Sequence, residues 1–277
     1  MPTSSSFTTK PRKITRTGEL QWGGDTDWSD VVTEQDDVTV NGNSIMPNQV
    51  VAPTDGLISQ WKLDESTGAA IDSVGNNNGT VYNAAQGVTI DGRTAYDFNS
   101  GYLELDDEAQ QYPKDDITLS MWLYPRNDTV RKQLWELNYA SSSVTERNGG
   151  LLVRLASDGT VQVRISNTNN QQSHSLDTSS TLQTQEWQHL TVVKDGGSAF
   201  VYIDGEKDPS EVTGLGDLIY DYDVYDDNSV HIGDWQRDGY NDAAEYIGGM
   251  ADARMYEVGL SGTKAQDLYN ATKMVGE

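Results

Sequence analysis

The stretch YLELDDE, residues 102–108, places carboxylates at Glu104, Asp106 and Glu108. Successive side chains of a β-strand point to opposite faces, so residues at i, i+2 and i+4 line one side. Glycoside hydrolysis uses a pair of carboxylates, one as the acid and the other as nucleophile or base. The alternative is a strand that ends in solvent. We favour this alternative because a further acid, Asp107, stands where an enzyme strand would carry an apolar residue.

The charge of the chain is strongly negative. Its 277 residues include 43 acidic and 19 basic side chains, for a net charge of −24, and aspartate outnumbers glutamate by 30 to 13. Such a surface repels nucleic acid and anionic membranes, so we expect no nucleic-acid binding by the main domain. Concentrated salt screens the self-repulsion of such a chain, and the composition therefore indicates a halophilic source. With no cysteine, disulfides and thiol nucleophiles are excluded.

Three regions differ in composition. Residues 1–18 hold four basic and no acidic residues, and we interpret them as a basic N-terminal arm. Residues 19–55 contain Trp22, Trp28 and a short alternating run, and we interpret them as a strand-bearing adaptor or anchoring segment. Residues 56–277 form the main domain. The chain shows no apolar run of signal-peptide or membrane-spanning length, so we expect no membrane insertion and no obvious secretion route.

The main domain consists of short β-patterned runs separated by turn signals. Asp158-Gly159 and Asp195-Gly196-Gly197 each join two runs with the chemistry of a hairpin. Many short strands between such turns predict an all-β fold with antiparallel sheets, either a sandwich or a barrel. Helical spacing is confined to SGTKAQDLYNATKM near the end, where Ser261 is the expected N-cap.

Four motifs occur in an order that resembles the laminin-G-like (LamG, concanavalin A-like) jelly roll. They are GLISQWKLDESTGAAIDSVGNNNGTV, ITLSMWLYP, EWQHLTVVKDGGSAFVYIDGE and IGGMADARMYEVGLSGTKAQDLYN. The resemblance covers about residues 56–270 and implies an antiparallel two-sheet jelly-roll sandwich. Glycoside hydrolases of the same superfamily carry a strand motif similar to Glu104–Glu108, which keeps a hydrolase using Glu104 and Glu108 as an alternative.

The resemblance also implies one structural Ca²⁺ where the first strand, an Asn-rich turn and the last strand converge. Ca²⁺ takes six to eight oxygen ligands. The candidate ligands at these places are Asp64, Glu65, Asp72, Asn76, Asn78 and Asp252. The alternative is that these side chains cap turns.

Two polar segments are rich in aromatic residues that could bind a glycan or a receptor. Sugar rings stack on aromatic side chains, while Asp, Asn and Arg bond the hydroxyl groups. The candidates are Trp235, Arg237, Asp238, Tyr240 and Asn241 in one segment and Tyr222 and Tyr225 in the other. The alternative is that these rings fill the open end of the jelly roll.

Together these features predict a non-enzymatic recognition or adhesion protein. We expect a component of a virion surface, such as a capsid decoration, turret or tail-fibre subunit of a halophilic archaeal virus. It would form a homo-oligomer, contact other virion proteins through residues 1–55 and bind a host-surface glycan or glycoprotein. The alternative is a secreted or cell-surface carbohydrate-binding module.

Overall fold

The structure is a computed structural model, which describes residues 50–105, 112–126, 132–137, 150–168, 173–220, 230–233 and 246–274, with the backbone of six short strands elsewhere. Those short strands are β1 (Pro11–Ile14), β2 (Leu20–Trp22), β3 (Thr39–Val40), β4 (Asn43–Ser44), β10 (Ala140–Ser141) and β11 (Arg147–Asn148). The others are β5 (Leu57–Trp61), β6 (Gly79–Ile90), β7 (Arg93–Leu105), β8 (Ile117–Pro125), β9 (Lys132–Leu137), β12 (Leu151–Leu155), β13 (Thr160–Ser166), β14 (Ser173–Thr181), β15 (Gln188–Asp195), β16 (Ser198–Ile203), β17 (Glu206–Thr213), β18 (Val230–Ile232) and β19 (Ile247–Tyr256). The helix α1 spans Gly262–Thr272.

The chain divides into two units. Residues 1–51 with 273–277 form one unit, whose described strands pair as β1–β2 and β3–β4. Residues 52–272 form the other unit, which contains the β-sandwich and α1. The finer division into an arm, an adaptor and a main domain stays a prediction. No helix within the described residues is long and apolar enough to cross a membrane.

Within the described residues, thirteen strands form one antiparallel sheet that folds into two layers. The front layer has the order β14-β13-β12-β9-β18-β7, and the back layer has the order β7-β19-β8-β15-β16-β17. Strand β7 belongs to both layers, because its residues 96–99 pair with β19 and its residues 103–105 pair with β18. Strand β6 pairs with β7, and β5 pairs with β19. The predicted antiparallel jelly-roll sandwich is confirmed.

The hydrophobic core lies between the layers. Trp61 on β5 and Trp135 on β9 belong to opposite layers, and their ring centroids are 6.0 Å apart. In the front layer, alternate residues such as Leu103, Val153 and Ile232 enter this core. The strand period of two then directs the intervening residues to the outer face of the layer.

The predicted turns and helix start are present. Gly159 has a φ of 82° between β12 and β13, and Gly196 has a φ of 52° between β15 and β16. Asp204, with a φ of 51°, begins the turn from β16 to β17. Ser261 accepts a hydrogen bond of 3.4 Å at its Oγ from the backbone N–H of Lys264, which confirms it as the N-cap of α1.

Candidate functional site

The helix α1 covers the outer face of the back layer. Trp122 packs against His189, with ring centroids 5.1 Å apart, and donates a hydrogen bond of 3.0 Å from Nε1 to Oγ1 of Thr272. Tyr269 of α1 lies 5.8 Å from the Trp122 ring. Burial lowers the pKa of His189 to about 3, so this imidazole is neutral. The outer face of the back layer is therefore a second packed interface.

Three polar side chains cross the outer face of the front layer on neighbouring strands. Glu104 on β7 lies opposite His231 on β18, and His231 lies opposite Glu136 on β9. Nδ1 of His231 is 3.9 Å from Oε2 of Glu136. Both residues are buried, although their neighbours along each strand are the ones that enter the core. We call Glu104, His231 and Glu136 the polar row.

A pair of tyrosines lies beside the polar row. Tyr82 on β6 and Tyr102 on β7 are stacked, with ring centroids 4.6 Å apart and an interplanar angle of 13°. Tyr102 also meets His231 edge to face at 5.5 Å. A hydrogen bond with the Glu104 carboxylate, reinforced by its negative charge, raises the pKa of Tyr82. Tyr82 is 38% exposed, and it is the one exposed aromatic residue in the part of the chain that the structure describes.

The outer face continues across β9 and β12. Gln133 lies opposite Arg154, and Glu136 lies opposite Leu152. The ladder contains a bulge near Trp135, which keeps Gln133 and Glu136 on the same face although they are three residues apart. The result is an exposed tyrosine at one end of a line of polar side chains, of which His231, Glu136 and Gln133 are buried. Such a tyrosine can stack a flat apolar ring face and bond polar groups beside it.

The carboxylates of YLELDDE are only partly placed by the structure. Strand β7 ends at Leu105, so Glu104 lies on the strand, whereas Asp106 and Glu108 lie outside the described residues. The prediction that the strand ends in solvent falls on residues outside the described ones and stays a prediction. The structure does not test the pairing of Glu104 with Glu108.

Several of the predicted calcium ligands use their oxygen atoms to accept hydrogen bonds within the protein. Oδ1 of Asp72 accepts from the backbone N–H groups of Gln60, Val74 and Gly75 at 2.9–3.0 Å, and Oδ2 accepts from Asn77 at 3.2 Å. Burial acts to raise the pKa of Asp72, but these N–H groups outweigh it and lower the pKa. This carboxylate organises the Asn-rich turn.

The other candidate ligands behave in a similar way. Asp252 forms an ion pair of 2.8 Å with Arg254 and accepts a hydrogen bond of 2.7 Å from Nε2 of Gln60. Glu65 accepts from the backbone N–H of Ile71 and from the hydroxyl of Tyr96. Oδ1 of Asn78 accepts from the backbone N–H of Asp72, while Asp64 and Asn76 are exposed.

This donor set fits calcium poorly. Oxygens that accept from N–H groups and from a guanidinium have few lone pairs left to coordinate a cation. Among the described residues, no group of three or more acidic or histidine side chains is arranged to hold a metal ion. The calcium site stays a prediction from the resemblance.

The predicted aromatic loop residues lie outside the described residues. Trp235, Arg237, Asp238, Tyr240 and Asn241 follow β18 in the chain, and Tyr222 and Tyr225 precede it. Both segments are thus joined directly to the strand that carries His231. Their roles stay predictions.

Sequence reasoning missed the polar row and the tyrosine pair. Alternation within KQLWEL and VHI could have placed Glu136 and His231 on the face opposite the core residues. The amino-acid sequence does not show that β18 inserts between β7 and β9, because the pairing of strands far apart in the sequence is set by the topology of the fold.

Comparison with known proteins supports the assignment of the fold. Residues 97–266, more than half of the chain, match the Laminin_G_3 profile of the concanavalin A-like lectin/glucanases superfamily. A search of curated protein sequences finds no significant match.

Solved structures share the same architecture. Domain 4 of an extracellular GH43 arabinanase from Geobacillus stearothermophilus, in complex with arabinotriose, has 21% identity and a TM-score of 0.54, covering 77% of this chain and 98% of that domain. The binding domain of Paraclostridial Mosquitocidal Protein 1 has 18% identity and a TM-score of 0.58, covering 78% of this chain. The ligand-binding domain of botulinum neurotoxin serotype D, in complex with N-acetylneuraminic acid, has 17% identity and a TM-score of 0.56, covering 79% of this chain.

This chain spans 52% of the mosquitocidal binding domain and 51% of the neurotoxin domain. Identities at this level establish a shared fold. With the matching family profile and the two-layer sandwich, they lead to one conclusion: the chain belongs to the concanavalin A-like lectin/glucanase superfamily, through a laminin-G-type domain.

Proposed function

We propose that this protein binds glycans through the outer face of the front layer and does not cleave them. The observation that carries the proposal is the stacked pair Tyr82 and Tyr102 on the front layer, where Tyr82 is exposed and lies beside Glu104. An exposed tyrosine ring offers a surface for the apolar face of a sugar, and the adjacent, half-buried carboxylate of Glu104 can accept hydrogen bonds from hydroxyl groups. Two solved structures of the same fold carry an arabinotriose and an N-acetylneuraminic acid.

The predicted loop aromatics extend this proposal. Trp235 follows β18 by three residues, and Tyr225 precedes it by five. Loops that join the strands of a rigid scaffold commonly carry binding residues. We propose that these residues take part in the same glycan binding.

The finer part of the proposal is that the protein is a virion surface component of a halophilic archaeal virus. The net charge of −24 supports a halophilic source. The four basic residues of positions 1–18 support docking on an acidic neighbour, either a second copy of this chain or another virion protein. We propose a homo-oligomer whose sandwich faces the host surface. Capsid, portal or tail genes beside this gene would support the proposal, and polysaccharide-degradation genes there would contradict it.

The binding function is tested on a glycan array with the full chain in high salt. We expect a restricted set of bound glycans, and we expect Tyr82→Ala and Trp235→Ala to weaken binding by about tenfold or more. Ile71→Ala is the control, because Ile71 is also exposed but lies in the Asn-rich turn. Unchanged binding by Tyr82→Ala would exclude the tyrosine pair from the binding surface.

A hydrolase is the second candidate, and one observation favours it. Glu136 is buried across His231 from Glu104, which gives two carboxylates in different environments on one face. Release of reducing ends from the glycans that bind, abolished by Glu104→Gln and by Glu136→Gln, would establish this candidate. Binding without release of reducing ends would support the proposed function.

A further inference from the structure

We propose that Asn78 is an N-glycosylation site and that the attached glycan covers exposed apolar residues of the Asn-rich turn (residues 71–78). Asn78, Gly79 and Thr80 form the acceptor sequence Asn-x-Ser/Thr, in which x is not proline. This inference goes beyond the proposed function, because it concerns a glycan bonded covalently to the chain. Asn78 and Tyr82 are four residues apart, which is about 13 Å along an extended strand, so the attachment point is separate from the proposed binding ring.

The acceptor sequence is extended and faces solvent. Asn78 and Thr80 are both exposed, whereas Gly79 between them is buried. A Cβ at Gly79 would lie 3.0 Å from the side chain of Leu105, a core residue, so this position faces the core and its two neighbours face outward. The asparagine and the hydroxyl residue that the reaction needs therefore lie on the same accessible side.

The side-chain amide of Asn78 is held in a defined orientation. Its Oδ1 accepts a hydrogen bond of 2.9 Å from the backbone N–H of Asp72. Because the backbone group can only donate, this contact identifies the oxygen end of the amide and leaves Nδ2 as the other end. N-glycosylation takes place at Nδ2, so the hydrogen bond that joins Asn78 to the turn is kept in the modified protein.

The transfer requires an activated sugar, which the producing cell supplies as an oligosaccharide linked to a lipid phosphate. A bond forms between Nδ2 of Asn78 and C1 of the first sugar as the bond between C1 and the phosphate oxygen breaks. The lipid phosphate leaves with the bonding electron pair, and Nδ2 gives up one proton to a base of the transferring enzyme.

A second, independent observation is the exposed apolar surface beside Asn78. Among the described residues of the sandwich unit, three large apolar side chains are exposed, and two of them, Ile71 and Val74, belong to the Asn-rich turn. The antiparallel bridge between Ala70 and Gly79 places Ile71 opposite Asn78. An attached glycan is bulky and solubilising, and the apolar faces of its sugars can pack on such side chains. Asn78 is therefore placed where a glycan would remove apolar surface from water.

The acceptor sequence at Asn270 lies in a different setting. It is part of α1, and Oγ1 of Thr272 accepts a hydrogen bond of 3.0 Å from Nε1 of Trp122 and donates one of 2.8 Å to the carbonyl oxygen of Leu268. Since its hydroxyl is engaged and its backbone is helical, we expect no glycan on Asn270. A third acceptor sequence, at Asn127, lies outside the described residues.

Peptide mapping of the protein purified from the cells that produce it naturally tests the site. Trypsin cleaves after lysine and arginine, and it separates the three acceptor sequences into peptides of residues 63–93, 127–131 and 265–273. In tandem mass spectrometry we expect peptide 63–93 to carry an oligosaccharide and peptide 265–273 to be unmodified. If peptide 63–93 were found only in its unmodified form, the proposal would be overturned, while glycan binding through Tyr82 would be unaffected.

Binding of the apolar dye Nile red tests whether the glycan covers the turn. In the full chain from a host without N-glycosylation, we expect the double substitution Ile71→Ser and Val74→Ser to cause a loss of dye binding. The same double substitution should leave dye binding unchanged in the glycosylated chain. Val51→Ser is the control, because Val51 is exposed outside this turn and its loss should act equally in both forms. An equal loss of dye binding from the double substitution in both forms would show that the glycan leaves Ile71 and Val74 uncovered and would overturn that part of the proposal.

Discussion

The carboxylate of Asp208 on β17 accepts a hydrogen bond of 2.8 Å from the backbone N–H of Ser180 on β14. It also accepts from the N–H groups of Ser179 and Ser210. Strands β14 and β17 are the two ends of the strand order, so Asp208 ties the far edges of the two layers together. A single buried carboxylate thus accepts hydrogen bonds from backbone N–H groups of two edge strands, which would otherwise lack a partner in the sheet.

Asp208→Asn is expected to destabilise the protein near neutral pH by about 1–3 kcal/mol, because backbone donors lose a charged acceptor. Burial acts to raise the pKa of Asp208, but the hydrogen bonds from Ser210, Ser180 and Ser179 lower it to about 2. A carboxyl group whose pKa is lower in the folded state than in the unfolded state stabilises the fold at pH values above its unfolded-state pKa. This contribution is lost as the pH falls through the folded-state pKa. The difference in the free energy of unfolding between wild type and Asp208→Asn should therefore shrink between about pH 4 and pH 2.

Chemical denaturation across this pH range checks the prediction. Asp55→Asn is the control, because Asp55 is exposed. If the difference in the free energy of unfolding between wild type and Asp208→Asn stayed constant down to pH 2, the Asp208 carboxylate would not be ionised in these hydrogen bonds.

Asp72→Ala is expected to lower the free energy of unfolding by about 3 kcal/mol, since four backbone N–H groups of the Asn-rich turn lose their acceptor. The control is Asp64→Ala, at an exposed position of the same predicted calcium set. Urea unfolding provides the measurement. Equal effects of the two substitutions would contradict the turn-organising role of Asp72.

Calcium removal distinguishes the two interpretations of this region. A structural calcium ion would make Tm fall on addition of EGTA at constant ionic strength. Because Asp72 and Asp252 already accept hydrogen bonds from N–H groups and Arg254, we expect Tm to stay unchanged. A clear fall in Tm, reversed by added Ca²⁺, would support the calcium prediction.

The sequence predicts the sandwich well because the relevant signals are local. Period-two alternation, the Asp158-Gly159 turn and the N-cap at Ser261 each depend on neighbours within a few residues. The candidate site is different. Glu104, His231 and Glu136 are far apart in the sequence and meet only because β18 lies between β7 and β9.

The same limit explains the acidic turn. The sequence places Asp72 correctly in an Asn-rich turn. However, the residue types whose oxygen atoms coordinate Ca²⁺ are the same ones that accept hydrogen bonds from backbone N–H groups. Only the positions of the N–H groups of Gln60, Val74 and Gly75 distinguish the two uses.

Salt is expected to stabilise this chain strongly if the source is halophilic. From about 0.1 M to about 1 M NaCl the Debye length falls from about 10 Å to about 3 Å, which screens the repulsion within a chain of net charge −24. We expect Tm to rise steadily over this range in thermal melts. Sucrose is the control, because it stabilises by exclusion without screening charge. A Tm that responds to sucrose alone would remove the support for a halophilic source.

Gly101→Ala tests whether the stacking of Tyr82 on Tyr102 is needed for binding, because the added methyl group displaces the backbone of β6. A Cβ at Gly101 would lie 2.5 Å from the carbonyl oxygen of Tyr82 and 2.7 Å from that of Asn83, so β6 must move away from β7. We expect a loss of about 2 kcal/mol in the free energy of unfolding. Glycan binding should fall by about tenfold or more, because Tyr82 no longer stacks on Tyr102.

Gly197→Ala is the matched control, because its Cβ would meet the nearest atom, the carbonyl oxygen of Leu215, at 3.6 Å, an ordinary contact. Both variants are titrated with the bound glycan at a temperature where near-ultraviolet circular dichroism shows a native fold. If the Gly101→Ala variant is folded and binds the glycan as tightly as the wild type does, the stacked geometry of Tyr82 and Tyr102 is dispensable. Binding would then have to be assigned to the loops around β18, since the displaced Tyr82 ring could not serve as the stacking surface.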